Sequence, residues 1–170
     1  MAGESAVLKQ VPVSLKDINI ATGTWAYTNS SGLLYMLKTA TDETSTITFT
    51  LPMPRKADQH GVKLKKVLLP LRVTTADLDA VPTCAIYRND FDSVLVGASG
   101  DVSTATITTT DTGVVTADAN DRLLTITVTN PDWDYGTEAQ AQYTCSVALN
   151  CGATTVVRLY PPIVEYEELV

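Results

Sequence analysis

One stretch of the chain alternates strictly between apolar and polar residues and two more follow the same pattern with a single break each, and this period of two constrains the fold more than any other feature. In Thr46-Ile47-Thr48-Phe49-Thr50-Leu51 an extended backbone puts Ile47, Phe49 and Leu51 on one side and three threonines on the other. Arg122-Leu123-Leu124-Thr125-Ile126-Thr127-Val128-Thr129 repeats the device with Leu124, Ile126 and Val128 inward, and Tyr143-Thr144-Cys145-Ser146-Val147-Ala148-Leu149 does so with Tyr143, Cys145, Val147 and Leu149. A helix turns about 100° per residue and would scatter each of these sets around its surface. Composition points the same way, because 26 threonines and 18 valines are stiff at χ1 and suit a pleated surface better than a helix. The expectation is an all-β fold.

Further strands are expected at Val11 to Leu15, Thr24 to Tyr27, Leu33 to Lys38, Thr83 to Arg88, Val94 to Val96, Thr104 to Thr110, Thr154 to Tyr160 and Ile163 to Tyr166. Turn residues separate them at Ser31-Gly32, Asn89-Asp90, Ser99-Gly100-Asp101, Asn130-Pro131-Asp132 and Asn150-Cys151-Gly152. Short helical turns fit at Leu15 to Ile18, Ala76 to Ala80 and Thr137 to Gln142. None is long enough to cross between parallel strands, so the sheets should be mostly antiparallel.

Gly61 to Val73 reads as one long strand with a fault in its register. Val62 and Leu64 share one parity and Val67, Leu69, Leu71 and Val73 the other, which a β-bulge near Lys65-Lys66 would reconcile. Pro70 has no amide proton, so its amide side should meet an edge or an irregularity. A long bent strand favours an antiparallel jelly-roll-like β-sandwich of roughly eight to ten strands. Its expected core is Ile47, Phe49, Leu51, Val67, Leu69, Leu71, Val73, Ile86, Leu124, Ile126, Val128, Tyr143, Cys145, Val147 and Leu149. Residues 1–40 have a broken apolar pattern and read either as an extended N-terminal arm or as edge strands, with residues 41–170 forming the jelly-roll domain.

Chemistry is sparse. His60 lies in a polar loop with no partner suggested beside it, and a catalytic histidine needs one held in geometry. Of the three cysteines, Cys84 and Cys145 occupy inward strand positions, whereas Cys151 falls in a turn and is the one expected to react; no disulfide framework is implied. Aspartates gather in loops, at Asp90 and Asp92, Asp118 and Asp121, and Asp132 and Asp134, where calcium is one reading and ordinary turn chemistry the preferred one. Loop carboxylates as a hydrolase pair are a further reading that the sequence does little to support. The expectation is a protein that is not an enzyme, with no metal and no cofactor. No apolar run approaches the roughly 18 residues of a membrane helix, so no membrane partner is expected. A net charge of −7 argues against nucleic acid.

Two patterns point to contacts. Arg55, Lys56, Lys63, Lys65 and Lys66 concentrate five bases in an acidic chain, and Glu165, Glu167 and Glu168 are a candidate acidic complement on another copy. Trp133 and Tyr135, with Phe91 a further candidate, would make an aromatic platform for sugar rings or a docking element, and Trp25 is a further contact candidate. Outward threonines at Thr46, Thr48 and Thr50, at Thr104, Thr106, Thr108 and Thr110, and at Thr125, Thr127 and Thr129 suit a flat mating surface.

Residues 61 to about 160 resemble structural proteins of tailed bacteriophages: a long strand from Gly61 to Val73, the turn Thr74-Thr75-Ala76-Asp77-Leu78, a strand ending in Tyr87-Arg88, and the alternating run Asp121 to Thr129. The resemblance implies a small jelly-roll virion subunit, a capsid decoration or cement protein or an appendage, made in the host cytoplasm. Its partners would be copies of itself, as a trimer, and the major capsid protein or another virion protein. The competing reading is a carbohydrate-binding β-sandwich module that uses Trp133 and Tyr135.

Overall fold

Ile47, Phe49 and Leu51 can be buried together only on extended backbone, and Glu43–Thr50 is a strand that turns Ile47 and Phe49 inward and its threonines to the other face, with Leu51 buried just past its end. The computed structural model describes residues 5–52, 61–89, 102–103, 105–108, 115–118, 120–128 and 142–170. Among them the strands are β1 (Ala6–Pro12), β2 (Ile18–Thr22), β3 (Trp25–Ser30), β4 (Leu33–Lys38), β5 (Glu43–Thr50), β6 (Val62–Thr74) and β7 (Thr83–Asn89). There follow β8 (Val102–Ser103), β9 (Ala105–Thr108), β10 (Arg122–Val128), β11 (Gln142–Cys151), β12 (Val156–Leu159) and β13 (Ile163–Leu169). The described residues contain no α-helix, only a single 3-10 turn at Leu15–Asp17 capped by the Ser14 hydroxyl.

All pairings are antiparallel and form two sheets. The larger has eight strands in the order β1-β13-β6-β12-β4-β3, with β10 on the opposite flank of β6 and β9 beyond it. The smaller has five, in the order β2-β5-β11-β7-β8. The chain crosses repeatedly between sheets, giving a jelly-roll-like sandwich whose inner faces share one apolar core. Each fully buried Leu, Ile, Val or Phe there contributes about 1.5–3 kcal/mol from removal of apolar surface from water.

Long strand β6 organises the larger sheet. Val67 is paired with Ile126 on one side and Val164 on the other. The expected bulge is present: along β13, Glu165 pairs with Lys66 but Tyr166 pairs with Leu64, so Lys65 is the extra residue. This one-residue excess lets Val62 and Leu64 share the buried face with Val67, Leu69, Leu71 and Val73. Pro70 sits where β12 gives way to β13. Its carbonyl accepts from Tyr160 N at 3.0 Å, so the side that lacks a proton faces the break at Pro161-Pro162.

Residues 5–40 form edge strands rather than a free arm. β1 lies on β13, β2 on β5, and the β3–β4 hairpin closes the far edge of the larger sheet. Val13, Leu15, Ile18, Trp25 and Met36 all enter the common core. The strand expected from Val11 to Leu15 stops at Pro12, because Leu15 begins the 3-10 turn; β2 and β8 were not foreseen. The strand expected at Val94 to Val96 lies outside the described residues.

Candidate functional site

The basic residues of β6 find acidic partners in the same chain. Lys65 Nζ lies 3.4 Å from Glu167 Oε1 and Lys66 Nζ 3.7 Å from Glu165 Oε1, while Gln10 Nε2 donates to Glu165 Oε2 at 3.0 Å. Lys63 pairs in register with Glu167. The acidic complement expected on another copy is met for Lys65 and Lys66 within the chain itself: β13 lies beside β6, and Glu167 and Glu165 face them. Trp25 is corrected as a contact residue too. It is buried between the sheets, and its indole N–H donates to Ser45 Oγ at 2.6 Å. Arg55, Lys56, Trp133 and Tyr135 lie outside the described residues, as do His60, Asp90, Phe91, Asp92, Asp132 and Asp134.

Cys151 also departs from expectation. β11 runs on through it, and the alternation that buries Tyr143, Cys145, Val147 and Leu149 carries Cys151 inward as well. Burial raises its thiol pKa and pushes that of Cys84 up to about 11. Asp118 and Asp121 are engaged by arginine. Asp118 pairs with Arg122 and accepts from Asn120 N at 2.7 Å, and Asp121 Oδ1 accepts from Arg72 Nε at 2.7 Å.

Another group of residues gathers on the outer face of the larger sheet. Antiparallel register puts Arg158 of β12 directly between Leu37 of β4 and Arg72 of β6. The Arg158 guanidinium lies over the Tyr35 ring, 5.3 Å from its centroid, an arrangement that favours a cation. Tyr160, just past β12, sets its ring 6.0 Å from that of Tyr35 at 60°. Asp121 completes the group. The Arg72 guanidinium holds its carboxyl below the usual carboxylate value, with the Tyr160 hydroxyl and the charge of Arg158 adding to the effect. Burial and the neighbouring Asp121 raise the Tyr160 phenol, which stays protonated and able to donate.

The charges in this cluster are unequal. Arg72 is matched by Asp121 and Arg122 by Asp118, but Arg158 makes no ion pair among the described residues, and its Nε is buried with no hydrogen-bond partner. Its direct cross-strand neighbour is another guanidinium, an arrangement unfavourable by itself. The cluster thus combines a tyrosine edge, a fixed carboxylate and planar donors on a rigid sheet, as a ligand with hydroxyl and ring surfaces requires.

No protein-family model matches the chain, and no curated protein matches it. Among solved structures it is similar to a xylan-binding module, CBM15, with a TM-score of 0.45 and 10% identity over 96% of this chain and 97% of that one. It is also similar to a low-affinity xylan-binding module, CBM86, from Roseburia intestinalis, with a TM-score of 0.38 and 12% identity over 96% of both chains. A family 29 carbohydrate-binding module from Piromyces equi gives a TM-score of 0.40 and 10% identity over 96% of this chain and 89% of that one. None of these scores is high enough to carry an argument about ligand or role.

Proposed function

We propose that this chain is a non-catalytic carbohydrate-binding β-sandwich that holds a glycan on the outer face of its larger sheet. The observation that carries this reading is the juxtaposition of Tyr160, Tyr35, Arg158, Arg72 and Asp121. A sugar ring offers one apolar face and a rim of hydroxyls, so its receptor needs an aromatic surface and rigid hydrogen-bonding groups within a few ångströms of each other. Charged partners such as Asp121 and the arginines make the stronger hydrogen bonds to hydroxyls. The other reading, a virion subunit, rests on the resemblance of residues 61 to about 160; of the contacts it would use, Lys65 and Lys66 have partners in their own chain.

The reading is tested by affinity electrophoresis and calorimetry against soluble xylan, glucomannan and mixed-linkage glucan. Binding to at least one polymer, weakened about tenfold or more by Tyr160→Ala, is the expected outcome, since aromatic truncation in a sugar site removes both apolar contact and shape. Retention of full affinity by Tyr160→Ala and its loss in Trp133→Ala would move the site to the loop aromatics. Absence of binding to any glycan would overturn the reading.

A further inference from the structure

We infer that Arg158 makes this site selective for glycans that carry a carboxylate, so that the preferred ligand is a uronate-bearing polysaccharide rather than a neutral one. The inference rests on the carbohydrate reading above and adds the ligand's charge. Arg158 and Arg72 stand side by side on this face, and the aspartate that reaches it, Asp121, is taken by Arg72. Arg158 makes no ion pair among the described residues. Tyr35 holds its guanidinium plane in place from below, and Asp121 is already committed to Arg72.

The planar fork of Arg158 is the specific feature. A guanidinium offers five donors; the Arg158 Nε is enclosed by the protein and has no hydrogen-bond partner, so a ligand would be met by the donors at the outer end of the fork. A carboxylate fits the fork with two parallel charge-assisted hydrogen bonds, whereas a lone hydroxyl supplies a single neutral acceptor. The neighbouring guanidinium of Arg72 strengthens the preference, since an arriving anion relieves the repulsion between two directly opposed cations. Long-range attraction is not the cause. The chain carries a net charge of −7 and would repel a polyanion at a distance, so selectivity has to come from contact.

The decisive comparison uses one polymer in two forms: polygalacturonate, or a glucuronate-substituted xylan, and the same material with its carboxyls reduced to primary alcohols. Calorimetry of the full chain should give about tenfold or more tighter binding to the acid form, the range expected for a charge-assisted pair over a neutral one. Arg158→Gln should collapse the ratio of the two affinities to about one, whatever it does to the affinity for the reduced polymer; Arg158→Lys, which keeps the charge but not the fork, should restore the ratio only in part. Glucuronate should compete far better than acetate at equal concentration. Equal binding of the two polymer forms by the unaltered protein overturns the inference while leaving the carbohydrate reading intact. Equal competition by acetate also overturns it, by making the site a general carboxylate receptor. Failure of both forms to bind removes the carbohydrate reading itself.

Discussion

The Trp25 indole N–H meets the Ser45 hydroxyl at 2.6 Å across the gap between the two sheets. β3 belongs to the larger sheet and β5 to the smaller, so one buried polar contact fixes their separation at this corner. Ser45 in turn reaches the Thr22 carbonyl at 3.4 Å, and Gly23, at φ +92°, presses so closely that an added Cβ would fall 2.0 Å from the Ser45 Oγ. Only glycine fits that backbone and that contact.

Removing either partner of this bond leaves a buried donor or acceptor unmatched. Ser45→Ala and Trp25→Phe should each destabilise the fold by about 1–3 kcal/mol, and the double variant by less than the two combined, because the interaction is lost only once. Gly23→Ala should also be destabilising, since it adds a steric clash to an unfavourable positive φ. Urea unfolding of the four variants measures all of these effects. Additive losses in the double variant would show that the two residues act independently.

The pairs Lys65–Glu167 and Lys66–Glu165 are partly exposed, and exposed pairs contribute at most about 1 kcal/mol each. Lys66→Glu alone should lower the melting temperature by bringing like charges together in a cross-strand position, and adding Glu165→Lys should recover most of the loss. The recovery should shrink at 0.5 M salt. A reversed pair that recovers nothing would mean that Gln10, which also bonds Glu165, dominates this site.

Acid should loosen the arginine–aspartate pairs. Asp118 and Asp121 both have folded pKa values below the ordinary 3.8, held there first by Arg122 and Arg72 respectively. A depressed folded pKa means that the unfolded chain binds more protons, so the stabilisation is complete above about pH 4 and is lost as pH falls through the lower folded values. Tyr160 acts in the opposite direction. Its raised phenol contributes below its ordinary value of 10.0 and loses that contribution as pH climbs through the folded value. Unfolding midpoints measured from pH 7 to pH 2 should fall more steeply for the native chain than for Asp121→Asn, and equal slopes would mean that Asp121 is not linked to folding.

What could be read in advance was whatever depends on local period. Each of Ile47, Phe49, Leu51, Leu124, Ile126, Val128, Val147 and Leu149 is buried, because a strand with one face inside admits only one register for such a run. The bulge at Lys65 was legible for the same reason, as a parity change inside one strand. The Arg158–Tyr35–Asp121 cluster was not, although Arg158 and Arg72 both stand at outward positions beside inward leucines. Their meeting depends on β12 settling between β4 and β6, a long-range pairing that no local pattern encodes. β2 escaped, and β1 was met only at Val11 and Pro12, because edge strands bury little and need no strict alternation.

The cysteines provide the last test, and here tertiary burial reverses what the turn signal at Asn150-Cys151-Gly152 suggested. Cys145 and Cys151 are fully buried, the Cys151 thiol donates toward the Leu149 carbonyl at 3.8 Å, and burial raises all three thiol pKa values, that of Cys84 to about 11. The thiolate is the reactive form, so at pH 8 about a thousandth of Cys84 would be ionised and less of Cys145. Native protein treated with a thiol-specific disulfide reagent at pH 8 should label slowly at all three positions, and in denaturant three equivalents should react at once. If Cys151 alone reacted within seconds in the native state, the end of β11 would have to open readily, and the inward alternation that buries it would not hold in solution.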